Sequence, residues 1–153
     1  MSIDWKKSLN HCATEMKGCN ELGKPIRFVE QEALPQGVSY EVYIHETGEI
    51  PTRSNLHDYF NALVWLSFPS IKCRLNALQA AQIKRDGITA ARGGARDAAT
   101  VFDENAALIV VRESDFGMRL IELLRGHEWR QLFVAHRDGF FEHCDTWLFG
   151  HAL

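Results

Sequence analysis

The sequence predicts an α+β fold: a central helical hairpin packed with a small antiparallel sheet and C-terminal helices. Three observations carry this reading. An almost continuously apolar stretch runs from Tyr59 to Phe68, closed by Pro69, and a second periodic segment ends before Gly87. Residues Val38 to Ile44 alternate in the manner of a half-buried strand. Short β-branched runs follow the glycine-rich stretch at 92–94. Helices and strands that are segregated rather than alternating along a chain indicate α+β.

Each element has a local reason. A helix is expected over Asp4 to Glu21, with Trp5, Leu9, Cys12, Ala13 and Met16 on one side, ended by Gly23-Lys24-Pro25. Ile26 to Val29 reads as a short extended piece and Leu34-Pro35-Gln36-Gly37 as a turn. Val38, Tyr40, Val42 and Ile44 then alternate with Ser39, Glu41 and Tyr43, which predicts a strand broken by Glu46-Thr47-Gly48. Asn55 caps a helix over about 56–68, with Asp58 as the acidic partner of a capping-box arrangement. The next helix covers about 70–85, with Ile71, Leu75, Leu78 and Ala81 as its apolar stripe. Ala91 to Gly94 reads as a loop. Ala98 to Phe102 and Ala107 to Val111 read as strands of a hairpin turning at Asp103-Glu104-Asn105-Ala106. Ser114 or Asp115 caps a helix through Leu124, closed by Gly126. A short helix over Glu128 to Val134 and an aromatic-rich end follow. Residues 1–25 read as a helical segment and linker, and 26–153 as one α+β domain.

Composition sets bounds on function. The 153 residues include 17 Lys and Arg against 20 Asp and Glu, a net charge of −3, so no overall basic field draws the chain to nucleic acid. No apolar run reaches the roughly 18–20 residues a spanning helix needs, and no secretory leader is visible, so the expected location is the cytoplasm. Cys12, Cys19, Cys73 and Cys144 form no Cys-x-x-Cys pair and read as reduced structural thiols.

Polar residues on an apolar helix are the informative feature. His57 and Asn61 are four apart and share a face, with Asp58 beside them. His and Asp so placed can hold a metal or act as base and orienter; the plainer reading makes Asp58 a cap and Asn61 a satisfied core group. Asp103, Glu104 and Asn105 offer oxygen donors for Mg²⁺ or for activating water, or form a solvated turn. Arg92-Gly93-Gly94-Ala95-Arg96 can cradle a phosphate, although the Gly-Lys-Ser/Thr ending of a Walker loop is absent. His143, Cys144 and His151 offer a soft metal half-site without standard spacing.

Two family resemblances follow from these residues. The adjacent His57-Asp58 pair is similar to that of metal-dependent phosphohydrolases of the HD type, with His45 and Asp103 as the outer ligands; His45 closes a predicted strand, where that pattern needs a helix. A wider match begins with Ile50-Pro51-Thr52-Arg53-Ser54-Asn55-Leu56-His57-Asp58-Tyr59-Phe60-Asn61-Ala62-Leu63-Val64-Trp65-Leu66-Ser67-Phe68-Pro69. It continues through Lys72, Leu75-Asn76-Ala77, Ala80-Ala81, Arg92-Gly93, Arg96-Asp97-Ala98, Phe102-Asp103-Glu104-Asn105 and Trp147-Leu148-Phe149-Gly150-His151-Ala152-Leu153. This pattern resembles the bacterial family known as domain of unknown function 3025. Because that family continues beyond the Phe-Gly-His-Ala-Leu motif, this chain reads as a shortened member. The resemblance transfers no activity, but its motifs contain the polar positions already singled out.

Two functions are therefore weighed. In a metal-assisted or hydrolase-like enzyme, His57 is base or ligand and Asp58 orients it. Asp103 or Glu104 supplies a second carboxylate, and Asn61 or Asn76, with Arg53 and His151, positions substrate; a divalent metal is the cofactor such a set would hold. In a non-catalytic binding or scaffold domain, the same residues form a buried hydrogen-bond network.

Overall fold

The computed structural model describes residues 5–87 and 93–152. The chain is α+β and divides into two compact units: residues 1–106 with 149–153, and the excursion 107–148.

The first unit opens with α1 (Trp5–Glu15). It buries Leu9 and Ala13, whereas Cys12, within the helix, and Met16, beyond its end at Glu15, are exposed although both are expected on the same side. Asn10 on α1 bonds Phe28 both ways, giving Nδ2–H to its carbonyl and accepting its N–H at 2.9 and 2.7 Å. That exchange occupies backbone groups of β1 (Arg27–Val29), whose neighbour is β2 (Glu49–Pro51). The two run parallel, with Phe28 opposite Ile50, so this pair is not the antiparallel sheet expected.

Parallel pairing needs a crossover, and the crossover is α2 (Tyr40–Thr47). The alternation from Val38 to Ile44 thus belongs to a helix, not a strand. Local chemistry decides it: Ser39 accepts the N–H of Val42 as N-cap, Glu41 lies in the first turn, and Gly48 closes the helix at φ 78°. Tyr40 and Ile44, four apart, then share the inward side. A Cβ on Gly48 would lie 2.4 Å from the Pro25 carbonyl oxygen, so both its conformation and its space require glycine.

Asn55 accepts the N–H of Asp58 and starts α3 (Leu56–Ser67). Pro69 ends it and opens α4 (Pro69–Asp86), completing the expected helical hairpin. The stripe on α4 is not the one expected. Leu78 and Ala81 are exposed, and the buried face carries Lys72, Cys73, Asn76, Ala77, Ala80 and Ile83. Small residues let α4 approach α2 closely, and that close approach decides which face is buried. The core gathers Leu9, Ala13, Ile26, Phe28, Ile44, Ile50, Ala62, Trp65 and Cys73. Full burial of a side chain such as Ile44 contributes about 2 kcal/mol.

Gly94–Glu104 forms α5. Ala98 to Phe102 is therefore helical, and Asp103-Glu104-Asn105 is a helix terminus rather than a hairpin tip. Thr100 Oγ1 bonds the Arg96 carbonyl within the helix, and Asn105 caps its end by donating to Val101. Of the glycine-rich stretch, Gly93 is the N-cap and Gly94 the first helical residue; Asp4, Ala91 and Arg92 lie outside the described residues.

In the second unit, β3 (Ala106–Val111) pairs with β4 (Cys144–Phe149), far along the chain, instead of with 98–102. The Arg112 N–H extends that ladder to the His143 carbonyl at 2.9 Å. Ser114 caps α6 (Asp115–Arg125), as its sequence predicts. Residues Gln131–Ala135 form a π-helical turn within the region expected as a short helix, and α7 (Arg137–His143) follows. Leu120, Leu123, Leu132, Phe140 and Cys144 make the core.

Candidate functional site

Residues on α2, α3, α4, α5 and the C-terminal segment meet in the first unit around a buried lysine. Lys72 and Asn76 lie four apart on the inward face of α4. The Lys72 ammonium, whose side chain is 5% exposed, donates to both oxygens of Asp103 at 2.6 and 2.8 Å and to Asn61 Oδ1 at 2.9 Å. It also lies 5.3 Å from the centroid of the Trp65 ring. Burial pulls the lysine's pKa down and Asp103 opposes that pull. Asn61 in turn donates from Nδ2 to the Tyr40 hydroxyl at 3.2 Å. Burial, followed by the charge of Asp58, keeps Tyr40 protonated far above the usual phenol range.

The C-terminal segment returns to this cluster through one glycine. Gly150 has φ 134°, and a Cβ there would sit 2.2 Å from the Glu104 carbonyl oxygen. Phe149 before it is buried against Phe68 and Phe102, with ring centroids 5.4 and 5.1 Å away. Ala152 after it donates its N–H to the Glu104 carbonyl. His151 is thereby held with Nδ1 3.1 Å from the main-chain oxygen of Asp103. A carbonyl only accepts, so Nδ1 carries the proton and Nε2 is left with a lone pair. Burial, then the Lys72 charge, pushes the imidazole below its usual pKa, against the pull of Asp103.

These groups line a cavity of about 230 Å³ walled by Tyr40, Glu41, Trp65, Lys72, Asn76, Asp103, Glu104 and His151, among others. Two polar atoms on its wall residues are buried without a partner among the described residues: Asn76 Oδ1 and Trp65 Nε1. Asn76 cannot simply turn over, because its Nδ2 donates to the Glu41 carbonyl at 2.8 Å.

The predicted site residues thus fall into two sets. Asn61, Asn76, Asp103, Glu104 and His151 belong to the lysine cluster or its cavity. Arg53, His57 and Asp58 form a second cluster at the start of α3 and do not line the cavity. Asp58 accepts from the Arg53 N–H (2.7 Å), Nε (3.0 Å) and Nη2 (2.9 Å), with His57 Nδ1 3.1 Å away. Burial raises its pKa, but those contacts with Arg53 and His57 outweigh it and hold the carboxyl at about 2. Its carboxylate does not reach back to the Asn55 N–H as a capping box would; that N–H bonds the Arg53 carbonyl. The sets touch where the rings of His57 and His151 meet edge-on, centroids 4.6 Å apart.

Among the described residues no three His, Cys, Asp or Glu side chains are grouped as ligands. His45 does lie on a helix, α2, but Asp103, its supposed partner, is bound by Lys72. His143 Nδ1 faces the Gly139 carbonyl, and Cys144 is a core residue of the second unit whose thiol burial pushes up.

Sequence reasoning missed Lys72, Tyr40 and Trp65 as site residues. The available signal was spacing: Lys72 and Asn76 repeat the four-residue separation of His57 and Asn61.

Residues 26–153 match the profile of the family described as Protein of unknown function (DUF3025), and the chain belongs to that family. No curated protein and no solved structure matches it.

Proposed function

We propose that this DUF3025 member is a hydrolase-like enzyme working by acid–base chemistry on a small polar substrate, with His151 rather than His57 as the base. One observation carries the proposal: an imidazole with its Nδ1 proton spent on the Asp103 carbonyl, and so with a lone pair on Nε2, lines a cavity walled by polar residues. His151 Nε2 takes a proton from water as the water oxygen bonds to the acyl carbon. The same proton passes to the leaving group as its bond to carbon breaks. The lowered pKa of His151 keeps it neutral, and so able to accept, at pH 7.

The scaffold reading describes a different part of the same unit. Asn61, Lys72 and Asp103 satisfy one another, and their bonds tie α3, α4 and α5 together. In the proposed enzyme they are the frame and His151 is the working group. Four free cysteines and the absence, among the described residues, of a helix able to cross a membrane support a cytoplasmic setting.

A panel of small esters, thioesters and amides tests the reading. Turnover is expected in the wild type, with rate rising with pH through an apparent pKa below about 6.5. His151→Gln should lower it by about 10²-fold or more, and His57→Ala by much less. A folded His151→Gln variant as active as wild type, or no turnover across the panel, overturns the proposal.

A further inference from the structure

Two of the four cysteines meet in the first unit, away from the cavity that His151 lines. Cys19 lies between α1 and β1, where its backbone bridges Pro25, and Cys73 lies on the buried face of α4. The Cys73 thiol donates to the Cys19 carbonyl at 3.1 Å. The bonds from that oxygen to the Cys19 Cα measure about 1.2 and 1.5 Å, so the Cα is within about 6 Å of the Cys73 sulfur. The Cys19 thiol is exposed and turned to the Lys17 carbonyl at 3.5 Å. Each thiol makes one weak bond among the described residues, so both side chains are free to turn towards each other. Both residues line one open cavity of about 280 Å³, with Asn20, Glu21 and Ser70 among its other walls. The backbone around Cys19 is held in place. Gly18 donates its N–H to the Ala13 carbonyl, and its own carbonyl accepts the Ile26 N–H. The approach of the two cysteines is therefore built into the fold.

The two thiols differ in access. Cys19 is open to solvent. Cys73 is buried, and burial, followed by the Glu21 and Cys19 charges, pushes its thiol up. Cys19 is thus the sulfur a small oxidant meets first, with Cys73 beside it to follow. We infer that Cys19 and Cys73 are a modification site for hydroperoxides, which join them as a disulfide that thiol reductants open again. With hydrogen peroxide, the Cys19 sulfur bonds to one oxygen as the O–O bond breaks, and the other oxygen takes the thiol proton and leaves as water. The Cys73 sulfur then bonds to the sulfur of the Cys19 sulfenic acid. The S–O bond breaks, and a second water carries off the Cys73 proton. Two thiols lose two electrons, and the peroxide gains them. The link fastens the Cys19 segment to α4 one residue from Lys72. Asn20, next to Cys19, holds the Ile44 and His45 carbonyls at the end of α2, so the link also joins α4 to that end. None of this depends on the acid–base reading.

The test treats the reduced full chain with a small excess of hydrogen peroxide, blocks remaining thiols with iodoacetamide and reads the products by mass spectrometry before and after proteolysis. The intact chain is expected to lose about 2 Da, with one dominant linked pair of peptides carrying Cys19 and Cys73, and dithiothreitol should restore both. Cys12→Ser should form the same link. Cys73→Ser should stop at the Cys19 sulfenic acid, trapped as its dimedone adduct. Where Cys73→Ser does not fold, Cys19→Ser, at an exposed position, replaces it and should leave Cys73 reduced at the same peroxide dose. In urea the proximity is gone, and pairing of Cys12 with Cys19, which closes the shortest loop, should dominate instead. A dimedone-trapped Cys19 with no link to Cys73 in the wild type overturns the inference. So do links to Cys12 or between two chains as the main product of the folded protein, a link between Cys19 and Cys73 as abundant in urea as in the folded chain, or a Cys73 oxidised just as readily in Cys19→Ser.

Discussion

Asp103→Ala isolates the energetics of the buried lysine. It removes the carboxylate from an ammonium that is 5% exposed and leaves Asn61 as its bonded partner among the described residues. A buried lysine can always shed its proton, so the penalty has a ceiling. Deprotonating an ordinary lysine of pKa about 10.4 at pH 7 costs about 3.4 units at about 1.4 kcal/mol each, or about 4.6 kcal/mol. Water entering where Asp103 stood and the surviving Asn61 bond reduce this, so the expected loss is about 3 kcal/mol at pH 7. The sign with pH follows from burial. It already lowers the Lys72 pKa, and removing Asp103 removes the opposing pull. Between the folded and unfolded values the folded variant binds fewer protons, so its stability rises with pH. At pH 9 the ceiling falls to about 1.9 kcal/mol. Lys72→Met should cost less, about 1–2 kcal/mol, because Asp103 is nearer solvent, at 19% exposure. Lys72→Met with Asp103→Leu should recover most of the single losses. Urea unfolding followed by circular dichroism at the two pH values measures all of these. A loss below about 1 kcal/mol for Asp103→Ala, or an equal loss at pH 7 and 9, would refute the reasoning.

Other perturbations have equally definite outcomes. Asp58, held at about 2 in the folded chain, contributes stability that is present above the unfolded value of about 3.9 and lost as pH falls through 2. Asp58→Asn should therefore lower stability by about 1–2 kcal/mol at neutral pH, discounted because Arg53 is 59% exposed, and flatten acid unfolding between about pH 4 and 2. Asn20 is buried, donates to the carbonyls of Ile44 and His45 and accepts the N–H groups of Leu22 and Lys24. Asn20→Ala should cost about 2–4 kcal/mol, read by thermal unfolding, with faster amide exchange at the end of α2. Gly150→Ala should break the His151 contact with Asp103, and an NMR titration should show the imidazole returning towards about 6.5.

The legible parts of the fold were those whose ends carry punctuation. Asn55, Pro69, Gly87, Ser114 and Gly126 each mark a boundary by a local bond or a missing donor, and α3, α4 and α6 follow from them. Around α2, two local signals conflicted. Alternating Val38, Tyr40, Val42 and Ile44 reads as a strand, while Ser39 and Gly48 read as helix caps, and the caps prevail. The partner of β3 could not be read locally, since β4 begins more than thirty residues later. The candidate site was half legible. Asn61 was named as a polar group on an apolar helix, Asp103 and Glu104 as a dense polar cluster, His151 as one of three grouped metal-ligand types, and Asn76 through the family motif. Lys72 was not, because a lysine is ordinarily counted as solvated until a distant carboxylate is found beside it.

The path of the chain through its two units bears on how the protein can be rebuilt. The chain leaves the first unit at Ala106 and re-enters it at Phe149. Gly150 rests against Glu104 and Asn105, so exit and return are neighbours in space. The intervening 107–148 is thus spliced in at one doorway, and a short linker can close that doorway in its place. Deleting this cassette removes β3 and β4 except for Ala106 and Phe149, and leaves His151 anchored by Phe149 and Gly150 within the first unit.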